Sequence, residues 1–168
     1  MTPAVRKLVL TIHLAVSIGW IGAVVAYLVL GMSAATNADV EIVRAAWIAM
    51  DLIGWLAIVP LAVGSLVTGL IISLGTAWGL FRYYWVVITF VLTTFCVLIL
   101  LLHMPSVSSV ARSARATAGP TVTERGGDLL HPGLGLLVLL VITVLNVYKP
   151  RGVTPDGWRR QREERSHP

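Results

Sequence analysis

A chain of 168 residues that is 57% hydrophobic and 12% charged, with a mean hydropathy of +0.84, lies outside the range of soluble domains. The same figures exclude intrinsic disorder, and the single Cys96 excludes a disulfide scaffold. The formal charge of +5 speaks first to membrane orientation and gives no reason to invoke nucleic acid.

A charge at the bilayer centre costs about 2.5–3.5 kcal/mol, so uncharged stretches delimit the spans. Apolar runs over about 8–30, 45–74 (interrupted by Asp51), 83–102 and 131–147 each reach the roughly 20 residues a crossing helix needs. The expectation is an all-α integral membrane four-helix bundle in one domain, 1–148, with a kink near Pro60. Residues 106–128, rich in Ser, Ala, Thr and Gly, read as a flexible external loop with at most one helical turn at 107–116. A basic tail, 149–168, carries Trp158 among its arginines and suits an arm lying on anionic lipid.

Nine basic residues fall on one side (Arg6, Lys7, Arg82, Lys149, Arg151, Arg159, Arg160, Arg162, Arg165) and four on the other (Arg44, Arg112, Arg115, Arg125). Both termini are therefore expected in the cytoplasm of a bacterial inner (plasma) membrane. Arg6 and Lys7 before an apolar stretch also begin a signal peptide, but the run that follows is long for a signal core.

Polar side chains turn away from lipid, so their helical spacing marks the buried faces. The first helix gives His13, Ser17, Trp20, Val24, Tyr27 and Gly31 at steps of three and four. The second gives Trp47, Asp51, Gly54, Ile58, Leu61, Ser65 and Thr68; the third gives Arg82, Thr89, Thr93, Cys96, Leu100 and His103. The fourth gives His131, Gly135, Val138, Ile142 and Asn146. Four convergent stripes predict a polar interior, where Ser, Thr and Gly also serve simply to join helices.

Alternating helix directions put Asp51, His103, His131, Met32, Met50 and Met104 at the outer end, with His13 far below them near the cytoplasmic edge. That outer set reads three ways. Imidazole with thioether suits copper, with His103, His131, Met104 and Met50 as ligands and Asp51 orienting a ligating ring. Two imidazoles on facing helices also suit the axial positions of a haem, with Gly54 and Gly135 leaving room for it. The third reading is interfacial histidines wetted by headgroup water, with Met filling core gaps. No hydrolase motif is present, and a channel or transporter of this length would need to act as a homo-oligomer.

The segment from His13 through Trp20 to Gly22 resembles the first helix of HemJ-type protoporphyrinogen oxidases and CopD-type copper-resistance proteins. The HemJ-type resemblance implies haem b with His13 as a ligand, although the Arg and Asn-Glu pattern that follows in that group is missing here. Gly79–Trp85, the Leu-Leu-His-Met ending at Met104, and Val147–Gly152 resemble an actinobacterial family of four-helix integral membrane proteins, which implies the fold and brings no activity with it. The expected function is thus a membrane-embedded redox cofactor protein, with haem b bound by His13, His103 and His131 and copper as the alternative. A quinone or redox protein would be its partner. The competing class is a non-enzymatic accessory subunit whose polar interior only packs.

Overall fold

In the computed structural model, residues 1–76, 79–116, 128–150, 152–155, 157–159 and 162 are described. Helix α1, Pro3–Thr36, starts where Thr2 Oγ1 accepts from the Val5 amide and Pro3 takes the first turn, whose amide would lack a partner in any case. After a three-residue link, Asp39 caps α2, Val40–Ile53, by accepting from the Glu41 amide at 2.8 Å. A π-helical turn, Gly54–Ile58, carries α2 into α3, Val59–Gly75. Pro60 has no N–H, and the widened turn just before it, closed by Val59 N–H on the Gly54 carbonyl, is how the chain absorbs that loss within one continuous span.

Helix α4, Tyr84–Ala116, follows a turn in which Gly79 holds φ of 61°, and α5 covers Leu130–Tyr148. The structure is all-helical in its named elements, and four helical stretches (Pro3–Thr36, Val40–Gly75, Tyr84–Ala116 and Leu130–Tyr148) are long and apolar enough to cross a membrane. Their outward faces agree, since Leu56 and Leu102 are 74% and 78% exposed, a cost that water would not tolerate and lipid removes. The chain is a multi-pass membrane protein by these measures.

Helix α1 packs on α2, α3 and α5, and α4 packs on α2, α3 and α5. The core follows the stripes closely in α1, where Trp20, Val24, Tyr27 and Gly31 are all buried, and in α2–α3, where Trp47, Gly54, Ile58 and Ser65 are. Across α1 and α3, Ser17 and Ser65 share a hydrogen bond of 2.8 Å and His13 Nδ1 meets Thr68 Oγ1 at 2.9 Å. Helix α5 departs from expectation: Leu139 is its one buried residue, and Asn146 bonds its own Ile142 carbonyl.

Two boundaries need correction. Residues 106–116 are not loop but the last turns of α4, which passes through Pro105 and buries Met104, Val107, Ala111 and Ala114 at steps of three and four. Helix α2, which buries Val43, Ala46, Trp47 and Met50, packs on α4, and these residues share one core cluster with Met104, Val107 and Ala114. The rest of the expected loop, 117–127, lies outside the described residues. The tail also begins as a docked segment: Val153 forms an antiparallel bridge with Tyr83, and Thr154 donates its amide to the Arg82 carbonyl and its hydroxyl to the Phe81 carbonyl. The start of α1 and the start of the tail therefore lie at one end of the bundle, where Met1 is also close to Gly75. We call this the terminal end and the opposite one the histidine end.

Candidate metal centre

The middle third of α4 carries His103, the approach to α5 carries Asp128, and the first turn of α5 carries His131. His103 Nε2 donates to Asp128 Oδ2 at 2.5 Å, while His131 Nδ1 stands 3.7 Å from Asp128 Oδ1. The two imidazoles are stacked, with centroids 4.1 Å apart and planes 21° from parallel. Tyr27, buried in the middle of the α1 stripe, donates its hydroxyl to the same Asp128 Oδ2 at 2.8 Å. One ligand atom from each of His103, Asp128 and His131 lies within 4.8 Å of the others, and among the described residues this is the group that could hold a metal ion.

Helix geometry explains the convergence. Asp128 lies two residues before α5 and His131 is the second residue of that helix, so the entry into α5 carries both side chains at the same end of the bundle. Antiparallel packing of α4 on α5 brings His103 to the same level. Burial alone would raise the Asp128 carboxyl, but hydrogen bonds from His103 and Tyr27 and the nearby charges of His103 and His131 outweigh it, holding the group below its ordinary value.

Behind the trio lies an apolar cavity of about 320 Å³, reached by Tyr27, Met104, Gly135 and the trio itself. A second cavity, about 630 Å³, occupies the terminal half of the bundle and is lined by His13, Ser17, Ser65 and Asn146 among others. Trp20 and Leu139 form a wall common to both.

The expected site residues therefore sort by position. His103, His131 and Met104 share the cavity at the histidine end, and His13 lies in the other one. Met50 is fully buried in the α2–α4 seam and does not line the cavity. Asp51, expected to orient a ligating ring, accepts instead from Ser108 Oγ at 2.7 Å and pairs with Arg115 at 3.2 Å. The carboxylate that does meet the imidazoles is Asp128, the last residue of the stretch 106–128 expected to be external loop. The signal available for it was an Asp three residues before a His at the start of a helix.

A bis-histidine haem does not fit this arrangement, because its two imidazoles approach the iron end-on from opposite faces of the macrocycle, and a face-to-face stack at 4.1 Å leaves no space for a porphyrin. Gly54 leaves no room either, since a Cβ there would collide with the Met104 side chain. Two imidazoles and a carboxylate do suit a divalent first-row transition ion, with Tyr27 hydrogen-bonded to the ligating carboxylate. Comparison with protein-family models, curated proteins and solved structures finds no match to the chain.

Proposed function

We propose that this is a membrane-embedded metal-binding protein that holds a divalent transition-metal ion between His103, Asp128 and His131. The observation that carries the reading is the convergence of three donors from two helices around one carboxylate that a buried tyrosine already fixes. Three protein donors leave coordination positions open towards the apolar cavity, the arrangement of sites that admit an exogenous ligand. Copper(II) is the ion of choice, because it binds nitrogen and oxygen donors most tightly in the divalent series and the carboxylate replaces the thioether-rich set that Met50 would have completed. The nine-to-four split of basic residues supports a centre at the outer face of a bacterial plasma membrane, with the tail among anionic lipid headgroups inside.

The test is metal analysis of the purified chain after equilibration with copper(II) or zinc and removal of excess ion, with the absorption spectrum recorded for a Soret band. One equivalent of metal in the parent chain and none in the His103→Ala/His131→Ala variant is the expected result. A parent chain that retains no metal, or a double variant that retains as much, leaves the accessory-subunit reading. A Soret band lost with His13→Ala would return the haem reading.

A further inference from the structure

The cavity in the terminal half carries a chemical bias independent of the metal centre. Ser17 and Ser65 share one hydrogen bond and so keep one hydroxyl hydrogen between them, but three threonine hydroxyls of the wall have spent theirs on backbone carbonyls: Thr89 on Val86, Thr93 on Thr89 and Thr143 on Leu139, with oxygen–oxygen distances of 3.1, 2.7 and 2.8 Å. What these threonines still offer a ligand is lone pairs.

His13 follows the same logic. Thr68 Oγ1 lies 2.6 Å from the Gly64 carbonyl, an approach that needs the single hydroxyl hydrogen between the two oxygens. Thr68 must then accept from His13, so Nδ1 carries the imidazole hydrogen and Nε2 of the neutral ring carries the lone pair. The ring's side-chain hydrogen bond is at Nδ1, and its other polar neighbour is the Ser65 backbone.

Charge and shape narrow the ligand further. At the terminal end the lining turns basic, with Arg6, Lys7 and Lys149 and no acidic residue among the described lining, which disfavours a cationic donor. Trp20, Trp85 and Phe90 line the same wall, and the cavity of about 630 Å³ is of the size that takes small organic ligands.

We propose that this cavity binds a lipophilic aromatic alcohol of the hydroquinone class, a ring hydroxyl donating to His13 Nε2. A neutral donor satisfies the acceptor-rich wall, an aromatic body meets the Trp and Phe side chains, and a membrane-soluble molecule reaches a site enclosed by four spanning helices.

The experiment is isothermal titration calorimetry of duroquinol, kept anaerobic, into the full chain in nanodiscs, with empty nanodiscs as the blank. Saturable binding is expected, weakened about tenfold or more by His13→Phe and retained within a few-fold by His13→Gln, which keeps an acceptor oxygen. The dimethyl ether of duroquinol, which cannot donate, is expected to bind the parent chain about tenfold or more weakly, a comparison that needs no variant to fold. Binding no greater than to empty nanodiscs, an ether that binds as well as the quinol, or a folded His13→Phe chain with unchanged affinity overturns the proposal. Decanoate binding in preference to duroquinol does so too, and would make the basic mouth a site for anionic amphiphiles.

Discussion

Tyr27 Oη and His103 Nε2 converge on the same oxygen of Asp128, at 2.8 and 2.5 Å, so a residue from the last third of α1 and one from α4 jointly fix the carboxylate that precedes α5. This joins three helices through one side chain at the histidine end. It also means that the donor set is oriented before any ion arrives, which removes ordering cost from binding.

Tyr27→Phe isolates that contribution. The ring still fills its buried place, the three donors remain, and only the hydroxyl is lost. Loss of a hydrogen bond to a ligating group costs about 10–100-fold in metal affinity, so weakened but stoichiometric binding is expected by titration. Affinity equal to that of the parent chain would show that the tyrosine acts only in packing.

Asp128 also predicts how the metal-free chain responds to acid. Its native pKa lies below the ordinary value, so the unfolded carboxyl takes up a proton first as pH falls. The stability it contributes is complete above the unfolded value of about 3.9, drains away as pH falls from there through the native value, and is absent below both. In chelator, thermal unfolding of the parent chain should therefore lose more stability between about pH 5 and pH 3 than that of Asp128→Asn. Parallel losses in the two chains would assign the acid sensitivity elsewhere.

The fold was legible because lipid imposes one rule that α1 and the α2–α3 span follow closely, whereas α5 buries Leu139 off its expected stripe. Polar and small residues recur on the inward face, and His13, Ser17, Trp20, Val24 and Tyr27 align along α1 for that reason. The continuation of α4 was obscured by its serines and Pro105, which read as loop, although Met104, Val107, Ala111 and Ala114 keep helical spacing through them. Ser109 and Ser113 return their hydroxyls to carbonyls three and four residues back, so residues that suggest a loop are accommodated within the helix. Of the site, the two histidines were visible and their carboxylate was not, because Asp128 lies beyond the apolar run that defines a span. Only the packing of α1 against the α5 approach shows that it faces inward.

Asp51 separates structural from ligating carboxylates. Ser108 donates to it, Trp55 Nε1 donates to Ser108 at 2.9 Å, and Arg115 pairs with it, which fastens the end of α4 to α2. Asp51→Asn removes a charge-assisted hydrogen bond and a half-exposed ion pair, together about 1–3 kcal/mol. A lower thermal midpoint with unchanged metal stoichiometry is expected. Loss of metal without loss of stability would move Asp51 into the centre.

Orientation is open to direct labelling. With Cys96 replaced by Ala, single cysteines at the exposed positions Asn37 and Ser109 should react with an impermeant maleimide in intact cells, whereas one at the exposed Trp158 should react only after permeabilisation. Labelling of the Trp158 position from outside would invert the bundle and place the metal centre in the cytoplasm.

Gly31 gives the most local test of how α1 holds the centre. A Cβ at this position would lie 2.7 Å from the Asp128 carbonyl oxygen and 3.3 Å from a Leu129 methyl, and the nearer obstacle is backbone that has no rotamer to yield. Gly31→Ala must therefore push the α5 approach away from α1, carrying Asp128 off the Tyr27 hydroxyl and out of register with His103. Gly22, on the same helix, has nothing within 4 Å of its Cβ position, so Gly22→Ala supplies the matched control for the helix propensity that Ala gains. The expected outcome is a loss of metal affinity of about tenfold or more in Gly31→Ala, with helical content retained, and parental affinity in Gly22→Ala. If Gly31→Ala binds metal as the parent does, the close approach of α1 to Asp128 is not what sets the centre.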